Sequence, residues 1–348
     1  MHKNKLILNG MKKYFPILLS KAGELCAISN LSQSVKNDIC PVIQVLTDHY
    51  ENVESTFSSW NFPSNQLFLD FSLSNPFNRK SIKNLIQNLF NEGVNIIPVV
   101  QENSNPHYIT LLHDLLSDGE ISSVCLRFSN SSGVILDINN QISALLTKIG
   151  VARNQASLLL DYGFVDSHNY NSIATLTLNL LTSVNNINDY QNVIVASGSF
   201  LENLTSLSPA GRTYRLPRLE WNIWQILQGQ PNLAEIINYG DYGAKYPYNS
   251  EANFQGSCSI KYTLPTEFLV YRGEISSNHP QGNGQYITFA DQLIRSIDYY
   301  GNTFSWGNER IDFYGGQTLT DPKRKTGNAK SWVEISQNHH ITLLASLL

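Results

Sequence analysis

The sequence predicts an α/β fold, a (β/α)8 TIM-like barrel with a C-terminal elaboration of a β-hairpin and helices. Apolar runs of strand length recur eight times, at residues 15–19, 39–46, 67–71, 96–100, 124–128, 157–161, 193–196 and 236–239. Longer stretches with a helical spacing of apolar residues separate these runs. Strand–helix units pair in parallel through right-handed crossovers, and eight units suggest closure into a barrel. An open doubly wound sheet is the alternative.

Each class of element has its own pattern. The eight runs are nearly continuous apolar segments, as expected for parallel strands that are buried on both faces. The helical stretches carry stripes at i, i+3 and i+4, formed by Ile82, Leu85, Ile86 and Leu89, by Ile109, Leu112, Leu115 and Leu116, and by Ile142, Leu145, Leu146 and Ile149. Gly150 is a stop signal for the last stripe. Asn75, as a cap-like residue before Pro76, is expected to open a helix.

The regular alternation is lost after Gly240. Residues 257–272 alternate apolar and polar side chains around Leu264-Pro265-Thr266, which predicts an antiparallel hairpin. Residues 287–300 are expected to form the helix that closes the barrel, and a loop rich in glycine and aromatic residues is expected at 299–316. An apolar segment at 332–348 ends the sequence.

The predicted organisation is a single domain over residues 1–348. The barrel is placed at about 14–300, with a hairpin insertion at 250–275 and a C-terminal elaboration at 301–348. No Pro- or Ser-rich linker separates a second domain.

The composition excludes several classes of protein. With 42% hydrophobic and 15% charged residues, the chain is not a disordered polyelectrolyte. A net charge of -4 argues against a broad surface for nucleic acid or anionic lipid. Four cysteines without CxxC spacing indicate reduced core thiols. No apolar stretch approaches the ~20 residues that span a bilayer or the ~7–15 of a signal peptide core. We therefore expect a cytoplasmic protein without membrane contact.

Polar side chains at the carboxyl ends of the predicted strands are the site candidates, because the βα loops of a barrel converge there. They are Lys21, Glu24, Gln44, Asp70, Gln101, Arg127, Asp161, Ser197, Ser199 and Asp241. Buried charge is costly unless it is paired or binds a ligand. Asp70, Arg127 and Asp161 therefore form either a site for a polar substrate or metal, or a structural ion cluster that plugs the barrel mouth. Carboxylates with few histidines suit Mg²⁺ or Mn²⁺ better than Zn²⁺.

Other features each have a functional and a structural interpretation. The turn from Ser197 to Ser199 could present backbone amides to an anion or be a simple connector. His340 could act as an acid or base, or pack in a terminal interface. Arg272 could clamp a carboxylate or phosphate at the barrel mouth, or cap a helix. Five tyrosines could form a stacking wall or pack on their own hairpin; they are Tyr239, Tyr242, Tyr246, Tyr248 and Tyr262.

Two further observations reduce the number of candidate sites and enzyme classes. Trp221 and Trp224 stand at i and i+3 and share a helix face, for which core packing is the expected role. No P-loop, Rossmann, nucleophile-elbow or zinc motif is present, which argues against the corresponding enzyme classes.

Several segments resemble the phage T4 beta protein family. The opening, Tyr14-Phe15-Pro16-Ile17-Leu18-Leu19-Ser20-Lys21-Ala22-Gly23-Glu24-Leu25, is similar to its Y-x-P-I-L-K-x-K-x-G-E, and Cys40-Pro41-Val42-Ile43-Gln44-Val45 to its P-L-I-E-I strand. Further matches are Leu126-Arg127-Phe128, Leu160-Asp161-Tyr162-Gly163, Ser197-Gly198-Ser199-Phe200, Pro217-Arg218-Leu219-Glu220-Trp221, Gly240-Asp241-Tyr242, Tyr271-Arg272-Gly273 and Asn338-His339-His340-Ile341-Thr342.

This resemblance covers nearly the whole chain and implies an origin in phages, prophages or bacterial mobile islands. A role in phage–host conflict follows only by association. One departure concerns Gln44, where the family tends to have glutamate. If that carboxylate is catalytic in relatives, activity of this chain is in doubt.

Two hypotheses follow for function. The first is an enzyme acting on a small anionic or nucleotide-like ligand. Charge would be bound by Lys21, Arg127 and Arg272, metal binding or proton transfer would fall to Asp70, Asp161, Asp241 and His340, and further ligand contacts would come from Glu24, Gln44, Ser197, Ser199 and Tyr242. The second is a non-catalytic binding subunit that holds a partner protein, such as one encoded nearby. An open cleft at the ion cluster favours the enzyme, whereas mutual pairing of the charges favours the binding subunit.

Overall fold

The structure of the protein, a computed structural model, describes residues 14–60, 66–129, 137–249 and 256–348. Its strands are β1 (Tyr14–Leu19), β2 (Val42–Gln44), β3 (Leu67–Asp70), β4 (Ile96–Val100), β5 (Val124–Ser129), β6 (Ala156–Phe164), β7 (Val193–Gly198), β8 (Arg212–Pro217), β9 (Ile237–Asp241), β10 (Ile260–Thr263) and β11 (Glu267–Arg272). Its helices are α1 (Ala22–Ser29), α2 (Gln33–Asp38), α3 (Tyr50–Phe57), α4 (Arg79–Asn91), α5 (Pro106–Ser117), α6 (Ile138–Ile149), α7 (Tyr170–Ser183), α8 (Leu219–Gln228), α9 (Pro231–Ala234), α10 (Gln285–Ile294), α11 (Trp306–Gly315) and α12 (Ala329–Leu347).

Eight parallel strands close into a barrel in the order β1-β2-β3-β4-β5-β6-β7-β9, with β9 pairing back to β1. The predicted barrel is therefore confirmed, and the open doubly wound alternative is wrong. Inward side chains such as Phe15, Ile17, Phe68 and Leu159 form one apolar cluster. The barrel interior below the mouth is thus a packed core rather than a pore. The outward faces pack against the surrounding helices in a larger cluster.

The helix ends follow local capping chemistry. Gly150 ends α6 in the left-handed conformation, at φ 81°, as its stop signal predicts. The prediction that Asn75 opens a helix is wrong: α4 begins at Arg79, and the side chain of Asn78 caps it by accepting the Ser81 N–H. The Asn75–Pro76 peptide is cis and precedes the helix. An Asx side chain can cap only from the residue directly before the helical backbone.

The predicted hairpin is present as β10 and β11, and it is joined by a strand that was not predicted. β8 lies between the seventh and eighth barrel strands in sequence and pairs antiparallel with β11, which gives the sheet order β10-β11-β8. Its residues alternate between exposed and half-buried positions. A strand with so little apolar character is held by its pairing with β11, which no local pattern records.

The helix that completes the outer ring is α12, and the prediction that residues 287–300 close the barrel is wrong. α12 packs along α1, and its Ile341 and Leu344 belong to the outer cluster. α10 instead packs on α11 and the hairpin, through Phe289 and Leu293. The expected loop at 299–316 contains α11. The single-domain organisation and its bounds stay predictions.

Candidate functional site

The barrel register brings polar side chains together at the carboxyl end of the strands. Gln44 and Asp70 lie level with each other on neighbouring strands β2 and β3. Arg127 lies on β5, and Asp161 lies on β6 level with Ser129. These four side chains continue the alternation whose lower members, such as Val42, Phe68, Cys125 and Leu159, form the inner apolar cluster. The polar residues therefore form the top layer of the barrel interior.

Arg127 is held between two carboxylates in this layer. Its Nε and Nη2 donate to Oδ2 of Asp161, the former at 3.0 Å, and its Nη1 donates to Oδ2 of Asp70. The Tyr242 hydroxyl accepts from Nη2 at 3.0 Å and donates to Oδ2 of Asp161 at 2.7 Å. The side chains of Arg127, Asp70 and Asp161 are 5%, 1% and 3% exposed. We call Asp70, Arg127 and Asp161 the ion triad.

Electrostatics keep the Arg127 guanidinium charged and the Tyr242 hydroxyl protonated. Burial opposes the charge of Arg127, but Asp161, Tyr242 and Asp70 outweigh it and raise the pKa of the guanidinium well above its ordinary value. Burial and Asp161 raise the pKa of the Tyr242 hydroxyl well above 10. That hydroxyl therefore keeps its proton at neutral pH, as its donation to Asp161 requires.

Both carboxylates are also fixed by the turns that follow their strands. Oδ1 of Asp70 accepts the Ser72 N–H at 2.9 Å, and Oδ1 of Asp161 accepts the Gly163 N–H at 3.0 Å. Each aspartate thus binds its own backbone with one oxygen and Arg127 with the other. Such Asx turns leave the side chains few alternative rotamers.

A cavity of about 290 Å³ opens above the triad. The described residues that line it include Gln44, Gln101, Arg127, Asp161, Tyr242 and Tyr248. Among the described residues, Oε1 of Gln44 is buried and has no hydrogen-bond partner. The charges of the triad are therefore mutually paired, and two of them, Arg127 and Asp161, also line the open cavity.

The loop after β9 crosses the rim of this cavity and is anchored on both sides. Towards α1, Nζ of Lys245 donates to Glu24 at 2.7 Å, and Nζ of Lys21 donates to Asn249 at 2.9 Å. Burial lowers the pKa of Lys245, and Glu24 opposes that shift. Towards β6, the Tyr248 hydroxyl accepts the Phe164 N–H at 3.3 Å. Glu24 and Lys21 thus hold the loop, and neither is among the described residues that line the cavity.

Asp241 points away from the mouth, so its predicted place there is wrong. Asp161 pairs with Ala196 of β7, and Ala196 pairs with Gly240 of β9. Asp241 therefore stands one residue further along its strand than Asp161, and a shift of one residue turns a side chain to the opposite face of a sheet. Tyr242, the next residue, is consequently the one that enters the mouth.

A second polar cluster surrounds Asp241 on the outside of the barrel. Nε2 of His340 lies 2.9 Å from Oδ2 of Asp241, and its Nδ1 lies 3.0 Å from the Thr263 hydroxyl. The hydroxyls of Tyr14 and Tyr239 donate to the same carboxylate. We call this set, with Arg218, Glu220 and Ser199, the outer network; Arg218 binds Glu220 at 2.9 Å, and Ser199 donates to Glu220.

The outer network is sealed. His340 and Arg218 are fully buried, and Asp241 is 1% exposed. Burial raises the pKa of Asp241, but His340, Arg218 and Tyr14 outweigh burial and lower it to about 2. A substrate cannot reach these atoms, so the network ties α12 and β10 to the barrel rather than forming a site. Arg218 is a member that was not predicted, although Arg218-Leu219-Glu220 is visible in the sequence as a pair of opposite charges after Leu216-Pro217.

The remaining candidates are not brought to the cavity. Ser197 lies level with Asp241 and shares its outward direction. Arg272 donates through Nε to the Leu204 carbonyl at 2.9 Å and through Nη1 to the Gly273 carbonyl. The expectation that Arg272 and His340 share one site with Asp161 is therefore wrong, because both bind groups outside the mouth.

The aromatic residues divide between the core and the mouth, so a wall of five tyrosines is wrong. Tyr239 packs against Trp221 and Trp224, each at 5.4 Å between ring centroids, which confirms core packing for the tryptophans. Tyr262 stacks on His339 at 3.9 Å. Tyr242 and Tyr248 line the cavity, and Tyr246 packs edge-on to Tyr248 at 5.3 Å.

Metal and membrane features are absent from the described part of the chain. Within residues 14–60, 66–129, 137–249 and 256–348, no group of three or more His, Cys, Asp or Glu is placed to hold a metal ion. None of the helices in the same ranges is long and apolar enough to cross a membrane.

Comparisons with known proteins give one family and several structures. The family model described as Beta protein matches residues 14–346. No curated protein matches the chain. Among solved structures, this chain is similar to the tryptophan synthase α-subunit from Pyrococcus furiosus (12% identity, 67% of this chain and 89% of that chain covered, TM-score 0.41). It is also similar to triosephosphate isomerase from Bartonella henselae (8% identity, 65% of this chain and 90% of that chain covered, TM-score 0.35). A third is type I 3-dehydroquinate dehydratase from Clostridium difficile (10% identity, 69% and 88%, TM-score 0.38).

Proposed function

The chain belongs to the Beta protein family, and we propose that it binds a small polar ligand in the mouth of its barrel without transferring protons to it. The observation that carries this proposal is the ion triad under an open cavity. Three buried charges cost more than well-packed apolar residues of the same volume would. Such a cost is expected where the buried charges contribute to binding a ligand. Barrel proteins bind their ligands at the carboxyl end of the strands, which is where the triad lies.

Binding is favoured over catalysis because the acid–base groups of the mouth are already engaged. Oδ2 of Asp161 accepts three hydrogen bonds and Oδ1 accepts one. Both oxygens of Asp70 accept an N–H group. A general acid or base must lie within hydrogen-bond reach of the proton that it moves. The sealed outer network, which holds His340 and Asp241, has no such reach.

The charge balance of the mouth favours an uncharged part of the ligand at the triad. Two carboxylates and one guanidinium sum to a net charge of -1. Arg127 donates four hydrogen bonds to its partners, so few of its N–H groups remain to bind an anion. If the ligand is nucleotide-like and carries a phosphate, the exposed Lys21 at the rim is the better partner for it.

The test is capture of small molecules from a cell extract by equilibrium dialysis, with mass spectrometry of what is retained. Ser129 lies exposed on the lining of the cavity, so Ser129→Trp fills the mouth without replacing a member of the triad. The matched control is Ser55→Trp, an exposed position on α3. Retention by the wild type and the control but not by Ser129→Trp supports the proposal. Equal retention by all three proteins, or none by any, contradicts it.

The biological setting stays a prediction. The resemblance implies a role in phage–host conflict beside a partner protein encoded nearby, and the cytoplasmic location is expected from the sequence itself. Plating efficiency of a phage panel on cells that express the wild type or Ser129→Trp tests this setting. A change with the wild type that Ser129→Trp removes would connect the conflict role to the barrel mouth, and no change with either would remove the conflict role.

A further inference from the structure

We propose that the ligand of the barrel mouth presents a nucleobase-type edge to Gln44 and a flat ring face to Tyr248. This inference rests on the proposed function, because it names the class of ligand for the same cavity. Three observations carry it: an unpartnered amide oxygen, an aromatic ring fixed at the rim, and the position of the two on opposite sides of the barrel.

The side-chain oxygen of Gln44 lacks a hydrogen-bond donor, which a ligand can supply. Its side chain is 7% exposed, and its Oε1 is buried with no partner among the residues that the structure describes. A buried carbonyl oxygen without a hydrogen bond is costly and rare in folded proteins. Because Gln44 lines the cavity, a ligand N–H or O–H can satisfy that oxygen.

The chemistry of the primary amide further restricts which ligand group can be its partner. A glutamine amide carries an acceptor and a donor side by side in one plane. Its complement is a planar edge with a donor next to an acceptor, which nucleobases present and which Asn and Gln read bidentately. A sugar offers hydroxyl groups instead, and these suit carboxylate acceptors. Both carboxylates of the mouth are already occupied by Arg127 and backbone N–H groups.

Tyr248 supplies a surface for the ring. Its side chain is 46% exposed although it lines the cavity. The hydroxyl is held by the Phe164 N–H, and the ring is held edge-on by Tyr246. A ring that is fixed before binding loses little conformational freedom when a base stacks on it.

The barrel geometry places these two groups across from each other. Gln44 is on β2, and Tyr248 packs directly over Gly163 of β6, where an added Cβ would lie 2.3 Å from its hydroxyl oxygen. In the closed order β1-β2-β3-β4-β5-β6-β7-β9, three strands separate β2 from β6 in either direction. Gln44 belongs to the top layer of the barrel interior, whereas Gly163, over which Tyr248 packs, lies two residues beyond Asp161 of that layer. A planar ligand can therefore direct its edge to Gln44 while Tyr248 covers its face from above.

The experiment is calorimetric titration of the whole protein with adenosine, guanosine, cytidine and uridine, beside glucose and inorganic phosphate. We expect at least one nucleoside to bind and neither glucose nor phosphate to do so. Gln44→Leu should weaken that binding by about tenfold to a hundredfold, as for loss of a bidentate base contact. Tyr248→Ala should weaken it by a similar factor, and Tyr248→Phe, which keeps the ring, by much less. Gln33→Leu, at an exposed position on α2, is the matched control.

The outcomes separate this inference from the function on which it rests. Nucleoside binding that Gln44→Leu weakens and Gln33→Leu does not would support the nucleobase edge. Binding of glucose or phosphate alone, abolished by Ser129→Trp, would overturn the nucleobase edge and leave the barrel-mouth function standing. Nucleoside binding that is unchanged in Gln44→Leu would also overturn it. If no probe binds and the extract yields nothing that Ser129→Trp removes, both proposals fail.

Discussion

Removal of the guanidinium from the ion triad should destabilise the fold strongly. Arg127→Met keeps an unbranched apolar stem but leaves Asp70 and Asp161 facing each other in the barrel, 1% and 3% exposed. The buried net charge changes from -1 to -2, and three N–H contacts to carboxylate oxygens are lost. Breaking a buried ion pair from one side costs about 3–5 kcal/mol. We expect the free energy of unfolding to fall by about that amount.

Urea unfolding followed by tryptophan fluorescence measures this change, since the chain has five tryptophans. Arg215→Met is the matched control, because Arg215 also binds two carboxylates, Glu267 and Asp298, but its side chain is 48% exposed. Exposed pairs contribute about 0–1 kcal/mol. Adding Asp70→Asn and Asp161→Asn to Arg127→Met should restore part of the loss by removing the unpaired charges. If Arg127→Met costs no more than Arg215→Met, the triad is hydrated and the reasoning from burial is refuted.

Two further predictions concern the outer network and the rim. The pKa of Asp241 is lowered to about 2 from a usual 3.8, so its stabilising charge is fully present above about pH 4 and is lost as the pH falls towards 2. We expect the free energy of unfolding to fall by about 2 kcal/mol over this pH range because of this group, and we expect no such fall in Asp241→Asn. If the free energy of unfolding of the variant decreases with acid as much as that of the wild type, the prediction is contradicted. Gly163→Ala should displace Tyr248, because the new Cβ would lie 2.3 Å from the tyrosine hydroxyl, and ligand binding should weaken. Gly211→Ala, which also has positive φ but no atom within 4 Å of its Cβ, should lose stability without losing affinity in the same titration.

Much of the barrel could be predicted from the sequence because its strands are buried on both faces. Burial on both sides gives continuous apolar runs, such as those around Phe68 and Leu159, and these are visible without any knowledge of partners. Asp70, Arg127 and Asp161 could be found for a related reason. They interrupt or end such runs, and a charge in that position has to be paired or liganded.

Three of the failures have a common physical cause, which is that pairing between distant segments leaves no local pattern. Asp241 was placed in the mouth because it ends a strand, but its direction is set by the registers of β6, β7 and β9. β8 was missed because its pairing with β11 compensates for its polar side chains. The closing helix was assigned to the wrong segment because α12 reaches α1 from the far end of the chain. Sequence order could not indicate that contact.

A crystal structure of the protein with a nucleoside that binds it in solution would locate the ligand in the molecule. We expect the base between Gln44 and Tyr248, with a ligand donor within hydrogen-bond distance of Gln44 Oε1 and with Arg127 still paired to Asp70 and Asp161 beneath it. A nucleoside bound outside the barrel mouth, or in the mouth with Gln44 Oε1 still unpartnered, would contradict this expectation.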